Sequence, residues 1–416
     1  MKRRDFLAGV SAVGVSGCGV GAKTAATLPL TAPQPLPPYD ALPRIMPIRA
    51  HVDRIFRVTV CLRPFRAAGP RLDVERVADK TVIHNYGHGG SGWSLSWGSS
   101  GIAVGKAMAS GERDVAVIGC GALGLTSAIL LQHAGAKVTI YAKERPPDVR
   151  SARATGSWTP DSRIALTNAV SSDFPALWER MCRNSFHTYE SYLGMAGNPV
   201  EWKDEYSLSD LSPAEEEASA QANEQASAQA SAHANPLPDA ELPFAHYGNR
   251  VRDLTPRSQN LPPGSHPFPT RYARRNSNLT FNIAGYSRQL VNDFLVEGGR
   301  IEHAEFHSPA ELSQLSQKVV INATGYGARA LWNDESIVPV RGQIAWLIPQ
   351  PEVNYGVQYR NVNILSRRDG IVVQDLGIGD MEGYNNADEQ PDRAAAESAV
   401  RVVAELYGRM AAVRPR

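Results

Sequence analysis

An α/β fold, a parallel sheet wrapped by helices and joined to a second, mixed-sheet portion, is predicted by three stretches of this 416-residue chain. Asp114-Val115-Ala116-Val117-Ile118 is a short apolar run of the kind that forms a strand buried on both faces. It passes directly into Gly119-Cys120-Gly121-Ala122-Leu123-Gly124 and a helical stretch to about Ala134, and Lys137 to Ala142 then supplies a second strand ending near Glu144. Farther on, Lys318-Val319-Val320-Ile321 is another buried strand, closing on Asn322-Ala323-Thr324-Gly325. Strand, Gly-rich turn, helix and strand make a βαβ unit, which forces parallel pairing.

Each part of that unit has a physical reason. Gly119 permits a tight turn, Gly121 lets the backbone approach a pyrophosphate, and Gly124 lets helix and strand pack closely. With Ala122 and Leu123 they open a helix whose N–H groups and dipole favour an anion. Glu144, 20 residues beyond Gly124 and flanked by Lys143 and Arg145, suits a ribose hydroxyl pair. The pattern indicates a dinucleotide without separating FAD from NAD. The strand closing on Ala323-Thr324-Gly325 resembles the second signature of flavin oxidoreductases and shifts the reading to FAD, with Thr324, Gly325 and Phe306 expected beside it. Between these elements, Phe281 to Val296 reads as a helix, Gly298-Gly299 as a turn and Arg300 to Phe306 as a strand; Asp392 to Tyr407 reads as a further helix.

Composition excludes other classes. Lys plus Arg number 43 against 42 Asp plus Glu, so the basic surface that nucleic acid requires is missing. Hydrophobic residues at 43% and charged residues at 20% are globular values. No apolar run reaches the ~18 residues that span a bilayer. Cys18, Cys61, Cys120 and Cys182 have neither zinc-ligand nor dense disulfide spacing, and no metal site is expected. Residues 1–22 read as an address: Arg3-Arg4 precedes Phe6-Leu7 and a short apolar stretch, as in a twin-arginine export signal, and Val15-Ser16-Gly17-Cys18 resembles a lipobox. Export through the twin-arginine machinery as a folded, cofactor-loaded protein is expected, with a lipid anchor at Cys18 and a periplasmic or outer-envelope location. Residues 23–47 are a Pro-rich linker. Residues 212–240, with Glu215-Glu216-Glu217 and Ala-Ser-Gln repeats, read as a mobile low-complexity insertion or a solvated Ala-rich helix.

Upstream of the βαβ unit stands His84-Asn85-Tyr86-Gly87-His88-Gly89-Gly90-Ser91-Gly92-Trp93-Ser94-Leu95-Ser96-Trp97-Gly98, which resembles the signature of the D-amino-acid oxidase family. Cys61-Leu62-Arg63-Pro64-Phe65-Arg66 resembles that family's Gly-Leu-Arg-Pro-x-Arg, and Pro339-Val340-Arg341-Gly342-Gln343 its Pro-x-Arg-Gly-Gln. The resemblance covers most of residues 48–408. It implies a Rossmann-like FAD-binding domain from residues 48–160 and 279–340, and a substrate domain from 161–278 and 341–408. It further implies FAD-dependent oxidative deamination of D-amino acids to 2-oxo acids, ammonia and hydrogen peroxide, with dioxygen as acceptor. Arg63 would hold the substrate carboxylate, as a planar bidentate cation can, and the Gly90 carbonyl would take the ammonium. Gly89, Gly90, Ser91 and Gly92 would run beside the isoalloxazine, with Ser94 near its O2 edge. The loop from Ser151 to Pro160, including Gly156 and Ser157, would lie on the flavin face.

The order differs from typical members, in which the Arg-Pro and His-Asn-Tyr-Gly-His segments follow the Ala-Thr-Gly strand; here they precede the fingerprint, so a circular permutation is expected, closed by the short connection from about Ala107 to Arg113. Asn363 stands where the family has a substrate-binding tyrosine, Gln374-Asp375-Leu376 stands where it has Leu-Gly-Gly, and Cys61 replaces glycine. Tyr355, Tyr359 and Tyr384 are more simply core or surface residues than replacements for that phenol. His84 and His88 are expected to be structural hydrogen-bonding groups. A flavin dehydrogenase passing electrons to a quinone or partner, and an inactive flavin-fold binding protein, stay open as alternatives.

Overall fold

The computed structural model describes residues 45–212, 215 and 242–412. The expected export signal and lipobox, the linker up to residue 44 and nearly all of the 212–240 insertion lie outside them. In chain order the strands are β1 (Ile55–Arg66), β2 (Val74–Val77), β3 (Lys80–His84), β4 (Asp114–Ile118), β5 (Lys137–Ala142), β6 (Val200–Ser209) and β7 (Gln259–Leu261), followed by β8 (Tyr272–Phe281), β9 (Arg300–His303), β10 (Val319–Asn322), β11 (Ile337–Leu347), β12 (Gly356–Tyr359), β13 (Val362–Arg367) and β14 (Gly370–Asp375). The principal helices are α1 (Gly92–Met108), α2 (Ala122–His133), α3 (Phe174–Glu190), α4 (Ile283–Val296) and α5 (Arg393–Ala412).

Two sheets form. The six-stranded one runs β2-β3-β10-β4-β5-β9, with β3, β10, β4, β5 and β9 mutually parallel. Residues 115–118 of β4 are all buried, as a central strand covered on both faces requires. One face packs on α1, α2, α3 and α4 through an extended core that includes Leu95, Leu125, Ile129, Trp178 and Phe294. The other face is covered by a smaller cluster around Val82, Ala116, Leu312 and Val320.

The eight-stranded sheet runs β1-β11-β14-β13-β12-β6-β8-β7 and is mixed, β12 and β6 being parallel. Period-2 alternation divides its faces. Val357, Tyr359, Ile364, Ile371, Val373, Tyr206 and Leu208 meet Ala396, Ala399, Val400, Val403 and Leu406 of α5, which recur at the spacing of one helix face. The alternate residues, among them Arg63, Gly342, Gln374, Asn363, Gln358 and Glu205, face the other way.

The segmentation expected from sequence needs correction. Residues 55–66, expected within the 48–160 cofactor portion, pair along β11 in the eight-stranded sheet, because the strand must deliver its cavity-side residues to that floor. The break at 340/341 falls inside β11, which is continuous from Ile337 to Leu347. Helix α3, expected within 161–278, packs on α1: Trp178 and Met181 join that helix's core, and the Gly98 N–H donates to Ser185 Oγ at 2.8 Å. The strand expected to Phe306 ends at His303, where pairing with β5 stops at Ala142.

Candidate active site

A cavity of about 750 Å³ separates the strand ends of the six-stranded sheet from the floor of the eight-stranded one. On the first side it is lined by Gly119, Gly121, Ala122, Leu123, Glu144, Phe306, Thr324 and Gly325. The geometry here is made by missing side chains. Gly119 has φ +103°, and a Cβ there would meet Ala323 O at 2.6 Å. Gly124 does not line the cavity; a Cβ on it would stand 2.0 Å from Gly119 O, so its smallness holds the turn against the helix. Gly121 begins α2 with no capping side chain, and the first turn carries no acid. Ser151, from the opposite loop, accepts from the Ala122 N–H at 3.2 Å. A helix start that lines a cavity, with small residues and no acid, is a cradle for an anionic group.

The Gly-rich loop before α1 forms another wall. The Gly89 N–H donates to Pro64 O and the Gly90 N–H to Ser162 O, both at 2.9 Å. Added Cβ atoms would lie 1.9 Å from Arg163 O and 2.4 Å from Ser162 Oγ respectively. Most polar groups of the His84–His88 segment are bonded beneath this loop; the exception is Nδ1 of His88, a cavity-lining residue, which is buried without a partner. His88 Nε2 meets Ser99 Oγ at 2.7 Å, Ser99 donates to Asn85 Oδ1 at 2.6 Å, and His84 contacts Glu75 Oε2 at 2.9 Å and Asn322 Nδ2 at 3.1 Å. Burial, with Arg66 nearby, pushes His88 down to about 3. These are structural roles.

On the floor, Arg63 lines the cavity, and its guanidinium donates only to Arg341 O, at 3.3 Å; it enters no ion pair among the described residues. Burial holds it below the usual arginine range. Room for it comes from Gly342, where a Cβ would stand 2.4 Å from Arg63 Nη1. Arg163 lines the same cavity, 3.6 Å from Asp380, and is pushed down to about 10 by burial and then by Arg63. The Cys61 thiol is raised by burial, so it is an inert neighbour. Gly90, Gly92, Ser94, Asn363, Gly156 and Ser157 also line the cavity, and the Ser94 hydroxyl accepts from the Thr159 N–H at 2.8 Å.

Two expected cofactor residues are placed elsewhere. Arg145 is directed to Ile301 O at 2.8 Å and is off the cavity wall, because β9 ends beside it. Ser91 is fully buried, and its hydroxyl bonds Ser162 O at 3.0 Å, anchoring the loop. Tyr355 reaches Met46 and Tyr407, Tyr359 reaches Asp210, and Tyr384 packs on Phe65; none lines the cavity. Sequence reasoning missed Arg163, Gln358 and Glu205 on the wall. The β6 alternation puts Glu205 opposite the buried Tyr206 and Leu208, but only the sheet order shows that this face is the cavity's.

The family model described as FAD dependent oxidoreductase matches residues 114–416. The chain belongs to this family. It is an FAD-dependent oxidoreductase. Its similarity to individual proteins is low. It is 24% identical over 287 residues to a D-amino acid oxidase of Dugesia ryukyuensis, covering 67% of this chain and 73% of that protein. It is 25% identical over 304 residues to a D-amino-acid oxidase of Rubrobacter xylanophilus, covering 72% and 78%. Among solved structures, the iminodiacetate oxidase of Chelativorans sp. BNC1 shares 15% identity at a TM-score of 0.47, over 71% of this chain and 79% of that one. For this FAD-dependent oxidoreductase, Gly119 and Gly121 with the acid-free start of α2 fit the pyrophosphate, and Glu144 on the same wall fits the ribose.

Proposed function

We propose that the protein oxidises D-amino acids to 2-oxo acids, releasing ammonia, with dioxygen as the final acceptor and hydrogen peroxide as the second product. The observation that carries this reading is Arg63: a half-buried guanidinium on a cavity floor, in no ion pair among the described residues and with Asp380 and Glu382 acting on it only at longer range, beside a glycine that leaves it room. A desolvated planar cation of this kind is matched by a substrate carboxylate held bidentately. Arg163 adds positive potential on the same wall, although Asp380 offsets part of it. The Gly90 carbonyl would accept from the substrate amine, and the 89–90 loop, fixed by Pro64 O and Ser162 O, orients it relative to Arg63.

Bound FAD supplies the acceptor for the hydride leaving the substrate α-carbon. The residues present supply orientation, which lowers the barrier by fixing the reacting geometry beforehand. His88 stays neutral and bonded to Ser99, so the amine loses its proton to solvent and not to that ring. Water then hydrolyses the imine product.

Two finer readings accompany this. The chain is circularly permuted relative to its family: in support, the family match begins at residue 114, while β3 and α1, which precede it, complete the same sheet and core. The protein is also exported by the twin-arginine route and lipidated at Cys18, a reading supported by Arg3-Arg4-Asp5-Phe6-Leu7 and Val15-Ser16-Gly17-Cys18.

The test is an anaerobic visible spectrum of the purified holoprotein with separate panels of D- and L-amino acids. Bleaching of the flavin band by D-enantiomers alone, with one peroxide formed per turnover in air, is expected. Reduction by L-enantiomers, or by none, would overturn the assignment. Cell fractionation of the R3K/R4K double variant tests export, with retention in the cytoplasm expected.

A further inference from the structure

The cavity floor carries a carboxyl group that the oxidation itself does not use. Glu205 lies on β6 between Val200 and Ser209; since Tyr206 and Leu208 face α5, the pleat turns Glu205 to the opposite side, where it lines the cavity. Space is kept for it by Gly356, its register partner on β12, where a Cβ would stand 3.0 Å from Glu205 Cγ. Its Oε1 is buried with no hydrogen-bond partner, and the side chain that bonds the carboxyl is Ser157.

No cation pairs with Glu205 among the described residues, in contrast to Glu305 on the same cavity's wall. Glu305 is held by Lys143 at 2.6 Å, and Glu144 neighbours the same lysine on the cofactor side. A buried carboxylate without a partner is costly. In a ligand cavity that cost is offset when the ligand brings the missing positive charge. Burial raises Glu205 to about 7, so the ionised form is within reach at physiological pH and a bound cation would complete its ionisation.

Position sets the length of that ligand. The floor runs from Arg63 on β1 across β11, β14, β13 and β12 to Glu205 on β6, with Gln374, Asn363 and Gln358 in register along the way. Five strand steps of ~4.8 Å separate the two backbones by roughly 24 Å across the sheet, and the register adds an offset along it: Arg63 stands opposite Val340, whereas Glu205 is level, through Gly356, Leu365 and Val372, with Trp346. The two side chains thus lie at opposite ends of the floor, and an alanine or serine held at Arg63 does not extend to Glu205. The intervening amides form a polar floor, suited to a chain with a charged end.

We propose that Glu205 receives the cationic end of the substrate side chain, so that the preferred substrates are basic amino acids of the lysine, ornithine or arginine type. This rests on the cavity being an amino-acid oxidising site. Steady-state kinetics of the holoenzyme above pH 7 would compare D-lysine with D-norleucine, which has a similar carbon chain and no ammonium group. The wild-type protein should show at least a tenfold higher kcat/KM for D-lysine, and E205Q should lower the D-lysine to D-norleucine ratio at least tenfold while the bound-flavin spectrum persists. E205D, which keeps the charge, should recover part of the ratio. A wild-type ratio near one, an equal fall for both substrates in E205Q, or loss of FAD from E205Q would overturn the proposal while leaving the oxidase reading standing. Failure of every amino acid to reduce the flavin would remove the oxidase reading itself.

Discussion

The two sides of the cavity are built by opposite means. The cofactor side is shaped by backbone and by absent side chains: Gly119, Gly121 and Gly124 fit because nothing protrudes from them. The floor of the eight-stranded sheet is shaped by side chains delivered from successive strands, from Arg63 through Asn363 to Glu205. A backbone site tolerates almost no substitution and has little freedom to change specificity. A side-chain site on a pleated floor can be rewritten position by position.

Substitutions separate the two sides. R63A should have the largest effect, lowering kcat/KM by about 10²–10⁴, as removing one partner of a buried charge pair does, with the flavin spectrum retained; a loss below tenfold would remove Arg63 from the carboxylate site. G124A should affect the other side, since its Cβ would meet backbone at 2.0 Å and neither atom is a flexible end. Purified G124A should be depleted of FAD and less stable by a few kcal/mol, read by the ratio of visible to protein absorbance and by thermal melting. G342A should lie between them in mechanism: its Cβ would push on Arg63 Nη1 from 2.4 Å, a displaceable side-chain end, so KM should rise about tenfold, the effect of roughly 1.4 kcal/mol, without loss of flavin.

The smallest effect concerns stability and pH. Glu205 is raised from 4.5 to about 7, so the folded state holds its proton more tightly than the unfolded one. Its destabilising contribution is therefore absent below about 4.5, grows between 4.5 and 7 and is complete above 7, with a size on the order of 1–3 kcal/mol. E205Q should accordingly gain melting temperature over wild type at pH 8 and little or none at pH 4.5. Equal gains at both values would mean that Glu205 is not held protonated by burial.

The same contrast explains what could be read from sequence. The Gly119–Gly124 turn, β4 and β5 were legible because a tight turn, a close approach and a strand buried on both faces each restrict residue type locally. Arg63, Gly90 and Asn363 were legible only through resemblance, and all three reach the cavity wall. Glu205, Arg163 and Gln358 were not, because facing a cavity depends on strand order across 150 or so residues of chain, which no local pattern encodes. The segment boundaries failed for the same reason: β1 is close in sequence to β2 and β3 of the six-stranded sheet, yet it pairs with β11, more than 270 residues away.

Chain order also bears on how the protein acquires its structure. Helix α1 and strand β4 are joined by residues 109–113 alone, with Gly111 at φ +84° in the turn. The Gly89–Gly92 loop, α1, the Gly119–Gly124 turn and α2 thus arise from one short run, and α1 packs on α2 through contacts such as Ser100 Oγ with Thr126 Oγ1 at 2.8 Å. Closing so short a loop costs little chain entropy, so two walls of the cavity can assemble early, before β10 or the eight-stranded sheet pairs its distant strands. Pulse-labelled hydrogen exchange during refolding should find the amides of α1 and α2 protected ahead of those of β1 and β11. A chain ordered in this way carries the beginnings of a cofactor cradle from its first folding steps.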